Sequence, residues 1–113
     1  MAARGPVGRD EPRTRRPAPP TALSVDAAAR QDDRTWLRLS WRRAAGPVGR
    51  VRHYEVSRIL PDGTRRFLGG TCGTALYLPD VPRAGGERAA AFEVRTVDEL
   101  YAVSAPARTT LAW

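Results

Sequence analysis

The chain is 113 residues long, enough for one hydrophobic core and too short for two. Apolar residues make up 42% of it and there are 10 Gly and 10 Pro, a balance that favours short strands and many turns over long helices. The net charge of +7 rests on 19 basic residues that are all Arg, with no Lys and no Asn; a GC-rich coding bias produces this pattern without selection for phosphate binding, so no nucleic-acid partner is read from it.

Residues 1–20 carry Pro6, Pro12, Pro17, Pro19 and Pro20 and almost no large apolar side chains. They bury too little to offset the entropy of ordering and read as a disordered Arg/Pro-rich leader or linker, with the folded domain over 21–113. No apolar run long enough for a signal peptide core or a membrane span follows. The expectation is therefore no membrane partner, and a cytoplasmic location if the chain is expressed as it stands.

Leu23 and Val25 alternate with Ser24 and Asp26 as a short first strand would, and the Ala/Arg/Asp run after them reads as a loop. Thr35–Trp41 is the clearest strand: Leu37, Leu39 and Trp41 share one face and Trp36, Arg38 and Ser40 the other. After the Gly46-Pro47-Val48-Gly49 turn, Val51–Leu60 sets Tyr54 and Val56 against His53, Glu55 and Ser57. Pro61-Asp62-Gly63 then suits a tight turn, returning Thr64–Leu68 as a hairpin with Phe67 or Leu68 capping the sandwich edge.

Thr74–Leu78 gives a further short strand, followed by a broad loop from Pro79 through Gly86, because prolines limit pairing. Arg88–Val97 alternates Ala90, Phe92 and Val94 against Ala91, Glu93 and Arg95. Asp98-Glu99-Leu100 forms a tip leading into Tyr101–Ala105, and the last strand runs Arg108–Trp113. The alanine triplets at 27–29 and 89–91 never extend into an amphipathic helix. About seven short strands at near-regular spacing define an all-β, immunoglobulin-like sandwich.

Several segments, in this order, carry a family pattern: Pro19-Pro20-Thr21-Ala22-Leu23-Ser24-Val25, Leu37-Arg38-Leu39-Ser40-Trp41, Tyr54-Glu55-Val56-Ser57-Arg58, Phe92-Glu93-Val94-Arg95-Thr96-Val97-Asp98 and Ser104-Ala105-Pro106. Over residues 19–108 the chain resembles a fibronectin type III domain. One departure stands out, since Ala90 occupies the place of the usual corner tyrosine, which leaves open what pins the neighbouring loop.

A narrower resemblance runs through Asp62-Gly63-Thr64-Arg65-Arg66-Phe67-Leu68-Gly69-Gly70-Thr71-Cys72 and Val94–Tyr101. It is similar to the β-sandwich that ends bacterial endo-β-N-acetylglucosaminidases of glycoside hydrolase family 85. In that family an Asn and a Glu on a separate (β/α)₈ barrel do the chemistry. This chain has no Asn and is far shorter than the roughly 250 residues of such a barrel, so no catalytic residue carries over. The resemblance implies a non-catalytic accessory module that packs against or extends a glycan-hydrolysing domain. An independent protein- or carbohydrate-binding module, and the product of a truncated reading frame, are the alternatives.

The lone Cys72 excludes an intrachain disulfide and a Cys-based metal site, and the lone His53 excludes two-histidine zinc sites. Cys72 reads as a half-buried residue before a strand. His53, one residue from core Tyr54 and on the other face, is badly placed for a hydrolytic triad. Gly69-Gly70 and Gly85-Gly86 lack the Gly-Lys-Ser/Thr of a phosphate cradle. No cofactor is expected.

The candidate interaction surface comprises Trp36, Arg38 and Tyr77 on a strand face and Asp98, Glu99 and Tyr101 at a tip. For Trp36 three roles are open: packing under Arg side chains or a terminal segment, docking onto a catalytic domain or other protein, and stacking on a sugar of an N-glycan. Asp98 and Glu99 read as a solvated acidic turn.

Overall fold

The structure, a computed structural model, describes residues 16–44 and 50–113. Seven strands follow one another: β1 (Thr21–Gln31), β2 (Arg34–Arg42), β3 (Val51–Ile59), β4 (Arg65–Thr71), β5 (Ala75–Pro82), β6 (Ala89–Asp98) and β7 (Ala107–Ala112). All pairings are antiparallel, in a three-stranded sheet β1-β2-β5 and a four-stranded sheet β4-β3-β6-β7. This is the two-sheet sandwich expected from the alternation.

The core lies between the sheets. Leu37, Leu39 and Trp41 of β2 meet Tyr54 and Val56 of β3 and Ala90, Phe92 and Val94 of β6, with Leu78 and Val81 from β5. Period-2 alternation does this work, since each strand sends every second side chain inward. Trp41 and Tyr54 pack edge to face at 5.4 Å between centroids, and the Tyr54 hydroxyl accepts a hydrogen bond from the Ala44 amide at 3.2 Å. The Pro61-Asp62-Gly63 turn forms as expected: Leu60 N donates to Thr64 O at 2.9 Å and Gly63 adopts φ +88°. Leu68 packs against the core, whereas Phe67 is exposed.

Three expectations are corrected. The stretch after Asp26 is not a loop, because β1 continues to Gln31 with Ala27 opposite Leu37 and Ala29 opposite Trp36. As an exposed edge strand it shows no apolar alternation, and its backbone ladder to β2 defines it. Pro79–Pro82 likewise belongs to β5: Thr35 pairs with Val81 and Leu37 with Leu78, so Pro79 and Asp80 together oppose Trp36. That is a β-bulge, with Asp80 at φ +55°, and it accommodates a proline that lacks an N–H. Cys72, in the short connection between β4 and β5, is exposed rather than half-buried.

The loop left open by Ala90 is pinned by Glu87 instead. Its buried carboxylate accepts from the Ala84 amide at 3.0 Å and the Trp113 indole at 3.1 Å, and pairs with Arg58, whose side chain is equally buried. Arg83 Nε donates to Glu87 O at 2.8 Å. A charged cluster therefore braces a loop to which Ala90 offers no hydroxyl.

Of the expected leader, residues 1–15 lie outside the described residues, as does the 46–49 turn. At its end, Pro17 and Pro20 are buried, and Arg16 Nε donates to Val103 O at 3.1 Å. This strap reaches the end of the sandwich where β2 finishes, β3 begins and β6 gives way to the 99–106 loop. The turns at 32–33 and 60–64 and the Glu87 loop gather at the opposite end.

Candidate interaction surfaces

Alternation along β2 turns Trp36, Arg38 and Ser40 outward, and register places Arg38 between Asp26 of β1 and Tyr77 of β5. Trp36, Arg38 and Tyr77 thus share the outer face of the three-stranded sheet, as the sequence indicated. Trp36 is half-buried, and Tyr77 is 53% exposed. Towards the β1–β2 turn the face dips into a cleft of about 470 Å³ lined by Gln31, Asp32, Asp33, Arg34, Trp36, Pro82 and Arg83. Its rim is braced by Arg34 Nη1 to Asp80 Oδ1 at 3.0 Å and by the Arg83 amide to Asp33 O at 2.7 Å. An indole wall with an amide, carboxylates and guanidinium groups beside it suits a small polyhydroxylated ring.

Asp98, Glu99 and Tyr101 lie at the other end, so the six sequence candidates form two separate groups. Asp98 is not solvated: it is 3% exposed, and its Oδ1 accepts from the Leu100 and Ala102 amides, each at 2.9 Å. Its backbone amide donates to Ala102 O at 3.0 Å, and Tyr101 N donates to Asp98 O at 2.9 Å. The carboxylate is a loop brace, a use a short Asp side chain has wherever backbone donors converge. Glu99 is exposed, and its amide donates to Arg50 O at 3.0 Å.

The braced loop holds Tyr101 at φ +63°, a left-handed conformation that costs a bulky L-residue on the order of 1–2 kcal/mol. It presents Leu100 at 83% exposure and Tyr101 at 63%, with the Arg52 guanidinium 4.5 Å from the tyrosine ring centroid. Leu100 and Arg52 were not singled out from sequence. The available signal was an apolar pair, Leu100-Tyr101, set in a turn where polar residues are usual.

His53 Nε2 lies 3.4 Å from Glu55 Oε2, and the Cys72 thiol donates to Arg52 O at 3.6 Å, so each already has a partner of its own. Among the described residues no group of three or more His, Cys, Asp or Glu side chains could hold a metal.

Residues 20–113 match the family of GH85 endohexosaminidase C-terminal domains. Among solved structures, the glycoside hydrolase domain of Endo-D from Streptococcus pneumoniae R6 is similar with a TM-score of 0.73 and 25% identity over 87% of this chain, which spans only 15% of that one. FN3tt is similar with a TM-score of 0.66 and 22% identity, over 86% of this chain and 94% of its own, a likeness of fold. No curated protein matches the sequence. The sandwich is of the fibronectin type III kind, and the chain belongs to the family of GH85 endohexosaminidase C-terminal domains.

Proposed function

We propose that this chain is a non-catalytic accessory module that docks against a glycan-hydrolysing domain. The observation that carries this reading is the extent of the match: the family covers essentially the whole sandwich, yet the sandwich corresponds to 15% of the Endo-D chain. The outer face bearing Trp36, Arg38 and Tyr77 is the surface that sequence reasoning assigned to docking. The test compares two forms of the pneumococcal hydrolase, one with the matched segment deleted and one with residues 16–113 in its place. The replacement is expected to melt at higher temperature than the deletion, and the isolated chain to release no glycan from an N-glycoprotein. Hydrolysis by the isolated chain, or equal melting of the two forms, overturns the proposal.

The cleft beside Trp36 favours a second reading, in which the module itself holds an N-glycan. Calorimetric titration with high-mannose and complex N-glycans reads it directly: saturable heat that Trp36→Ala removes supports it, and no heat from the folded chain rules it out.

A further inference from the structure

We infer that the Leu100-Tyr101 tip and the arginines around it form the contact with the hydrolase polypeptide that precedes this domain in a full-length family member. This inference rests on the accessory reading and names the surface it would use. Three independent observations meet at that end of the sandwich. First, two neighbouring apolar side chains stand 83% and 63% exposed on a backbone that is held, not loose. The buried Asp98 carboxylate fixes the Leu100 and Ala102 amides and keeps Tyr101 left-handed. A loop built to hold an unfavourable conformation while showing leucine and tyrosine to water has the form of a preorganised anchor.

Second, the strap before β1 is tied to the same loop by one hydrogen bond. Arg16 Nε bonds to Val103 O, and Pro17 and Pro20 are buried, so the first described residue sits at the loop that carries the tip. The family is one of C-terminal domains, so in a full-length member the hydrolase polypeptide joins the domain through its N-terminal end, the end at which Arg16 sits. The Trp36 cleft is at the far end, by the β1–β2 turn. Third, Arg52 lies over the Tyr101 ring, the Glu99 amide bonds to Arg50 O and Arg16 bonds to Val103 O, and the strand ends that meet at this end also carry exposed Arg42 and Arg43. The complementary face is therefore acidic around an apolar recess large enough for a leucine and a phenol.

The test uses the pneumococcal hydrolase carrying residues 16–113 in place of its matched segment, compared with the free chain by amide hydrogen exchange. The amides of 99–104 and of 50–52 are expected to exchange at least tenfold more slowly in the fusion. Leu100→Ser with Tyr101→Asn should abolish that protection while leaving the melting temperature of the free chain within about 4 °C, because both side chains face water and Asn tolerates the left-handed backbone. Mixing the free chain with the truncated hydrolase gives the same readout if the fusion does not fold. Protection confined to β2 and β5 around Trp36 and Tyr77 overturns this inference and leaves the accessory reading standing. Protection nowhere overturns both.

Discussion

Glu87 shows how a single charged residue takes over a structural duty. Its side chain and that of Arg58 are each 4% exposed, so neither charge has water to fall back on. Glu87→Ala leaves the guanidinium buried without its carboxylate and should cost about 3–5 kcal/mol, the usual penalty for breaking a buried pair from one side. Replacing both, Arg58→Met with Glu87→Leu, removes the unpaired charge and should cost much less than the single change, although the Ala84 amide and Trp113 indole lose an acceptor. Urea unfolding of Arg58→Met, Glu87→Leu and their double, beside Glu87→Ala, decides it: a double variant as unstable as the sum of its two singles would show that the pair is not the brace. Asp62 offers a smaller case with a definite sign. The Thr64 side chain and amide hydrogen bonds hold its carboxyl below the ordinary 3.8. A depressed folded-state value means stability present above about pH 4 and lost as pH falls through the lowered value. Asp62→Ala should therefore narrow its stability gap to the parent chain in melts taken below pH 3.8, and a gap constant down to pH 2 would contradict the role given to this carboxylate.

Among the elements, β2, β3 and β6 were legible because each is half-buried and alternates. Leu37, Leu39 and Trp41 announced an inner face, and Trp36 was conspicuous as an indole on the outer one. β1 beyond Asp26 and β5 beyond Leu78 were not legible for the opposite reason. Ala27–Ala29 bury little and Pro79 argues locally against a strand; the first segment is held by a hairpin ladder to β2 across the 32–33 turn, the second by a ladder to β2 residues far along the chain. Asp98 was misread as solvated because its burial depends on where the Leu100 and Ala102 amides fall, which no side-chain pattern encodes. Trp41 joins the legible elements: it packs on Tyr54 of the opposite sheet at 5% exposure. Trp41→Ala should cost about 3–5 kcal/mol through lost transfer energy and the cavity left behind. A drop of less than about 1 kcal/mol in chemical denaturation would mean that the two sheets can close over the gap.

For the whole molecule the question is where the domain starts. Composition put the boundary after Pro20, since a Pro/Arg stretch buries little by itself, and the family match begins at residue 20. In the fold, however, Pro17 and Pro20 are buried and Arg16 reaches the Val103 carbonyl across the end of the sandwich. Two proline rings removed from water contribute about 1–3 kcal/mol in total, and because proline loses little conformational freedom on ordering, most of that contribution survives. Arg16 also ties the strap to the 99–106 loop, in which Ser104 Oγ accepts from the Thr96 amide at 2.9 Å. A chain starting at Thr21 should accordingly melt lower than one starting at Arg16, by about 4–8 °C for each kcal/mol lost in a domain of this size. Arg16→Ala in the longer chain should account for the smaller part, because that bond is exposed. Equal melting of the two chains would return the boundary to Thr21 and reduce the strap to a tether. A clear difference would make residues 16–20 part of the domain, and would mean that the loop end is held by the same residues that join it to whatever precedes it.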